Sequence, residues 1–144
     1  YFVLIGLYGD NKEPYEVFAG RNGIIDKNVK TGKIVKVKKN FYKATLDDGT
    51  ELSPVTLGCD EHEEALTRMT SMALRHGANI EFIVEQLGKV EGDFTNFAKS
   101  IGRSLKKHIP HSTISSEDCP DCQTKLIYEN GCQVCKSCGF SKCS

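Results

Sequence analysis

Residues 119–143 read CPDCQTKLIYENGCQVCKSCGFSKC, and six of the chain's seven cysteines lie within them. Two C-x-x-C units, Cys119/Cys122 and Cys135/Cys138, flank a segment with strand–turn–strand character. Leu126 to Tyr128 is a short apolar strand, Asn130-Gly131 is a hairpin turn, and Gln133-Val134 leads back. Each C-x-x-C unit turns tightly so that both sulfurs point inward. Pro120 stiffens the first knuckle, and Gly139 supplies the positive φ on which such a knuckle ends. One tetrahedral zinc takes four thiolates, and so few apolar residues do not fold without a metal. The stretch therefore predicts a zinc ribbon, residues 119–144, as a unit separate from the rest of the chain.

Six cysteines exceed four ligands, and the spacing allows two partitions. In the first, Cys119, Cys122, Cys135 and Cys138 bind zinc and Cys132 and Cys143 are spare. In the second, Cys119, Cys122, Cys132 and Cys135 bind it, and Cys138 and Cys143 are spare. The Val-Cys-x-x-Cys-Gly context favours the first. Both leave Cys143 free, one residue from the end and beside Lys142, where a thiol can exchange as thiolate with a distant disulfide. The plainer account makes the spare pair small hydrophobes. Cys59 stands alone and reads as a buried small residue.

Upstream, residues 1 to about 57 alternate as β structure. Tyr1 to Leu7 and Tyr15 to Ala19 form a hairpin across Gly9-Asp10-Asn11, and Asn22-Gly23 is a further turn. Lys33 to Lys39 and Phe41 to Leu46 form a second antiparallel pair, turned by Asp48-Gly49 into Glu51-Leu52. From Asp60 the period becomes helical. Asp60 and Glu63 make a capping box, with Leu66, Met69, Ala73 and Leu74 as the apolar stripe and Gly77 as the stop. Asn79 caps a second helix that buries Ile80, Ile83, Val84 and Leu87. Asp93 opens a third, with Phe94, Phe97, Ala98, Ile101, Leu105 and Ile109 on one face, ending at Lys106-Lys107-His108 before Pro110. The fold class is α+β: a small antiparallel sheet packed with three helices over 1–110, a polar linker over 111–118, and the ribbon.

Nineteen basic residues balance nineteen acidic ones, which argues against a general nucleic-acid or membrane field. No apolar run reaches membrane length, and the opening YFVLIGLYGD has neither a charged start nor a cleavage site. The start at Tyr1 suggests a fragment of a longer polypeptide. Paired C-x-x-C units fit a reducing compartment, and a cytoplasmic location is expected. Lys27, Lys30, Lys33, Lys36, Lys38, Lys39 and Lys43 crowd one stretch with Phe41 and Tyr42, which can track and stack on nucleic acid. A solvated strand edge that discourages sheet-to-sheet pairing is the favoured account. His62, His76, His108 and His111 share no ligand spacing, and no phosphate-cradling Gly motif occurs.

RMTSMALRHGANIEFIVEQL (Arg68 to Leu87), followed by a linker and CPDC…GCQVCKSCGFSKC, resembles the C-terminal region of ribonucleotide reductases. It is most similar to the TSCPD domain with its zinc-finger tail, found in the adenosylcobalamin-dependent class. PYEVFAGRNG (Pro14 to Gly23) looks like that family's strand and Gly turn, whereas Ile24 to Val55 is less familiar, and Glu117-Asp118 stands where the domain name implies Thr-Ser. The resemblance implies that a tail dithiol, Cys132 with Cys143 or alternatively Cys138 with Cys143, re-reduces an active-site disulfide during deoxyribonucleotide synthesis. It further implies adenosylcobalamin in the rest of the enzyme, and as partners a catalytic barrel and a thioredoxin-like reductant, with no membrane. The radical site is outside these residues. The competing expectation is a nucleic-acid-binding or subunit-docking ribbon whose zinc is structural only.

Overall fold

The structure, a computed structural model, describes residues 1–21, 25–93 and 95–143. The expected Asn22-Gly23 turn and the helical placement of Phe94 fall outside the described residues. Strands β1 (Phe2–Tyr8) and β2 (Glu13–Gly20) form one antiparallel hairpin. Strands β3 (Gly32–Lys38), β4 (Phe41–Leu46) and β5 (Glu51–Leu52) form a second sheet in that order. The β half is thus two small antiparallel sheets rather than one. Helices α1 (Glu61–Arg75), α2 (Ile80–Gly88) and α3 (Phe97–Lys106) follow. Strands β6 (Ile114–Asp118), β7 (Lys125–Glu129), β8 (Cys132–Val134) and β9 (Ser141–Cys143) close the chain as an antiparallel sheet in sequence order. The architecture is α+β with a cysteine-bearing ribbon at its end.

Two of the three helix starts form as the sequence indicates. Asp60 accepts from the amides of His62 and Glu63 at 2.9 Å each, and Glu63 reaches back to the Asp60 amide at 3.2 Å. Asn79 sits at the N-cap of α2, though without a side-chain cap bond. The third helix begins later than expected. Asn96 caps it by accepting from Ala98 and Lys99, while Asp93 closes a local turn onto Thr95.

The face α1 buries also differs from the expected stripe. Glu63, Thr67, Thr70 and Ser71 are its buried residues, Leu66 and Leu74 are partly buried, and Met69 is 58% exposed. The reason lies in β2, whose outer edge has no strand beyond it among the described residues. Ser71 Oγ receives the Val17 amide at 2.9 Å and lies 3.2 Å from the Val17 carbonyl, so α1 meets a backbone edge with a hydroxyl.

The main core joins Val17 and Ala19 of β2, Val84 and Leu87 of α2, and Phe97, Ile101 and Leu105 of α3. Gly102 lets α2 and α3 approach, since a Cβ there would stand 3.3 Å from Leu87 Cβ. Phe2, Phe18, Ala44, Leu46, Leu52 and Val55 make a second cluster under the β3–β5 sheet. Tyr128 of β7, 2% exposed, belongs to the main core, so the ribbon docks on the helical layer. The expected linker is also partly structured. Within 111–118, β6 pairs with β7, the Ser112 amide donates to Tyr128 O, and the Tyr128 amide donates to Thr113 O. A backbone ladder needs no apolar alternation on a solvated strand, which is why a polar stretch gave no strand signal.

Candidate functional site

The two knuckles build the site. In the first, Cys119 donates its amide to Thr124 O at 2.8 Å and accepts from the Gln123 amide at 2.9 Å. In the second, Cys135 donates to Phe140 O at 2.8 Å and accepts from the Gly139 amide at 3.0 Å. Gln123 (φ 62°) and Gly139 (φ 81°) take the left-handed conformation that tightens each turn. Leu126 is buried between the knuckles with Cys119 and Cys135, and Phe140 packs against them.

These turns gather the sulfurs of Cys119, Cys122, Cys135 and Cys138 within 4.8 Å of one another. Cys119–Cys138 is 3.5 Å and Cys122–Cys135 is 3.4 Å. Sulfurs about 2.3 Å from a tetrahedral zinc stand roughly 3.8 Å apart, so the donor set and its spacing fit that ion. Among the described residues this is the one group of Cys, His, Asp or Glu side chains placed to share a metal. Cys119 and Cys135 are buried, Cys122 and Cys138 exposed, so the cluster opens to solvent on one side. Thr124 lies beside it, its hydroxyl 2.7 Å from Cys122 Sγ and 3.5 Å from Cys135 Sγ. Hydrogen bonds from Thr124, then from the Cys138 amide, bring the Cys135 thiol down to about 6.

Cys132 and Cys143 are outside this cluster. Antiparallel pairing of β8 with β9 sets them opposite each other, with Cα atoms 4.4 Å apart, and they form a disulfide. That separation is typical of a non-hydrogen-bonded cross-strand pair. Cys138 sits among the four clustered sulfurs, so neither the second ligand partition nor the pairing of Cys138 with Cys143 is formed. The reason is register: Cys143 lands opposite Cys132, while the second knuckle turns Cys138 toward Cys119.

The disulfide borders a cleft of about 370 Å³ between the ribbon and the helical layer. Tyr1, Val3 and α3 form one wall, Asn130 to Cys132 with Cys143 the other. Arg103, Lys106 and Lys107 are the charged side chains of its lining. Lys106 is 8% exposed, and its ammonium lies 6.0 Å from the centre of the Tyr128 ring. Burial, with Lys142 nearby, pulls its pKa below the usual lysine value, against a smaller opposing effect of Glu117. Lys142 itself pairs with Glu117 at 3.2 Å. The sequence reading missed this cleft, because Lys106-Lys107 at a helix end is sufficiently explained by the helix dipole.

The other candidates have plainer surroundings. Cys59 donates to Ala19 O at 3.1 Å, and burial pushes its thiol up to about 11. His108 is half-buried, with its pKa lowered by burial and by Lys107, and His111 lies 3.8 Å from Glu129. Lys36 and Lys38 stand over the rings of Tyr42 and Phe41 at 6.0 and 5.5 Å, on the edge strand of their sheet. No helix among the described residues is long and apolar enough to cross a membrane.

Among known proteins, the family model for the NrdJ homologue C-terminal domain matches residues 1–110, ending just before the ribbon strands. No curated protein and no solved structure matches the chain. The matched span comprises β1 to α3, the layer on which the ribbon docks. The chain belongs to the NrdJ homologue C-terminal domain family and is a ribonucleotide-reductase-related C-terminal domain.

Proposed function

We propose that this chain is a reductase accessory region whose Cys132 and Cys143 carry electrons to an active-site disulfide of a ribonucleotide reductase. In the dithiol state, one thiolate attacks the catalytic disulfide and forms a mixed disulfide, releasing one catalytic thiolate that takes up a proton. The second tail thiolate resolves the mixed disulfide. The catalytic pair leaves as a dithiol and the tail as the Cys132–Cys143 disulfide, with two electrons transferred. A thioredoxin-like dithiol then reverses the tail reaction. The catalytic barrel, adenosylcobalamin within it and a cytoplasmic setting belong to the same proposal, carried by the family and the sequence resemblance. Zinc on Cys119, Cys122, Cys135 and Cys138 keeps the knuckles folded and keeps those four thiolates out of the exchange.

The observation that carries the reading is the segregation of six neighbouring cysteines into four clustered sulfurs and one cross-strand pair. A purely structural ribbon needs only the four. The test is equilibration of the zinc-loaded chain with mixtures of reduced and oxidised thioredoxin, followed by alkylation and mass-spectrometric mapping. Cys132 and Cys143 are expected to titrate together near the thioredoxin couple, about −270 mV, while the other four stay protected. A pair that stays oxidised below about −300 mV, as structural disulfides do, would sink the shuttle and favour the docking role.

A further inference from the structure

We infer that the outer face of the β3–β5 sheet is a binding surface for single-stranded nucleic acid, a property separate from the thiol chemistry of the ribbon. The neutral total charge hides a segregation. Residues 27–43 hold seven of the nineteen basic residues and no Asp or Glu, which leaves twelve basic against nineteen acidic residues elsewhere. The strand register decides which face those lysines join. Lys33 pairs with Thr45 and Val35 with Lys43, whereas Ile34 pairs with the buried Ala44 on the inner side. An irregularity then skips Val37, so Lys38 stands opposite Phe41 on the outer face while Lys36 stands opposite Tyr42 on the inner one. Lys33, Lys38 and Lys43 thus share a face with Val35, which is 48% exposed, and with Phe41, which is half-buried and belongs to none of the three hydrophobic clusters. Among the described residues Lys43, with Glu51, is the one of the seven lysines in an ion pair. Lys38 Nζ lies 5.5 Å from the centre of the Phe41 ring, a contact that positions the ammonium without neutralising it. Asp47 and Asp48, past the other end of β4, already accept from Thr31 and Thr50. Shielding a strand edge needs lysines on β3 alone, and Lys39 in the turn and Lys43 on the central strand lie outside that account. The seven residues of β3 span about 20 Å, so the cations are strung along a line rather than gathered around one phosphate. A flexible strand can lay its phosphates on that line and stack an unpaired base on Phe41, which a duplex with its bases already stacked cannot do.

The test is fluorescence anisotropy of a short fluorescein-labelled oligo-dT titrated with the full zinc-loaded chain. Phosphate contacts from Lys33, Lys38 and Lys39 give a log–log salt slope of about −2, so affinity should fall about twentyfold between about 50 and 200 mM salt. Lys33→Glu combined with Lys38→Glu is expected to weaken binding by about tenfold or more at the lower salt. Lys38→Glu alone is expected to cost more than Lys36→Glu, which reverses a charge on the inner face. Phe41→Leu keeps the apolar bulk and removes the ring, and should weaken binding about fivefold or more with the salt slope unchanged. Glu51→Gln releases Lys43 and should tighten binding. Circular dichroism and the urea midpoint confirm that each variant is folded. No binding at the lower salt, or equal losses from Lys36→Glu and Lys38→Glu, would overturn the surface. Binding of a duplex as tight as that of the single strand would overturn the stacking role of Phe41 and with it the single-strand assignment. Poly-glutamate of matching length that competes as well as unlabelled oligo-dT would overturn the proposal in favour of an acidic polypeptide partner.

Discussion

Replacing Tyr128 by alanine should detach the ribbon from the helical layer and loosen the backbone pairing on either side of that ring, while leaving the helices and the two knuckles folded. Tyr128 is 2% exposed and packs in the cluster that holds Leu87, Ile101 and Leu105, yet it belongs to β7 of the ribbon. Among the described residues its ring is the ribbon's one buried contribution to that core, and its hydroxyl interacts with Ser115 of β6. Truncating a buried aromatic costs about 3–5 kcal/mol. Here the cost falls on docking, since the knuckles are held by their own turn hydrogen bonds and, in the zinc-loaded protein, by the metal. At about 1.4 kcal/mol per factor of ten, the undocked population should rise by roughly two to three and a half powers of ten. Tyr128→Phe keeps the ring and loses only the hydroxyl bond, about 1 kcal/mol. Native-state hydrogen exchange of the zinc-loaded protein reads both variants. The Ser112 and Tyr128 amides, which bond to Tyr128 O and Thr113 O at 2.8 Å each, should lose protection in the alanine variant and largely keep it in the phenylalanine one. Equal protection in wild type and Tyr128→Ala would refute the idea that this ring anchors the ribbon. Helical circular dichroism separates detachment from general unfolding.

Three further outcomes test the rest of the structure. Thr124→Val removes the hydroxyl beside Cys122 and Cys135, and should weaken zinc affinity by about 10–100-fold in a chelator competition with all four cysteines intact. Ser71→Ala leaves the buried Val17 amide without its partner, and should cost about 1–3 kcal/mol in urea unfolding, where Ser104→Ala on α3 costs less. Glu63 is held below the usual carboxyl range, first by Arg21 and then by the Asp60 amide and Tyr1, against the opposing effect of burial. A depressed folded pKa means stability present above the unfolded value, about 4.3, and lost as pH falls through the folded one. Glu63→Gln should therefore flatten the acid limb of the stability–pH profile below about pH 4.5, and an unchanged acid limb would contradict the network.

What the residues disclosed in advance, and what they concealed, follows from the range of the forces involved. The α1 capping box, the strand at Phe41–Leu46 and the two knuckles are local, so Asp60, Glu63, Pro120 and Gly139 announce them within a few positions. The buried face of α1 was not legible, because Ser71, buried with Thr67 and Thr70, bonds a backbone edge more than fifty positions away. The same holds for β6, whose ladder to β7 leaves no mark in the polar run Ile114 to Asp118. At the site, spacing narrowed six cysteines to two partitions. What spacing left out is the β8–β9 register, which sets Cys143 opposite Cys132 and is a property of pairing rather than of either segment. Tyr128 as a core residue, and the cationic cleft beside the disulfide, depend on which helix the ribbon meets, and no spacing rule encodes that.

The position of the disulfide within the ribbon limits how a shuttle of this kind can work. Cys132 and the clustered Cys135 are three residues apart on one segment, about 10 Å if extended, so one end of β8 leads to the sulfur cluster and the other borders the cleft. Breaking the disulfide leaves the knuckles intact. What it loosens is β9, three exposed residues held to β8 by a short ladder. From Gly139, where the second knuckle ends, Cys143 is four residues on, which gives its sulfur a reach of roughly 14 Å at full extension. Cys132 cannot follow, because Gln133 next to it is buried and donates to Ser115 at 2.7 Å. In the proposed shuttle Cys143 would then be the attacking thiol and Cys132 the resolving one. A partner disulfide must be brought to the ribbon within that short radius rather than be sought by a long swinging arm.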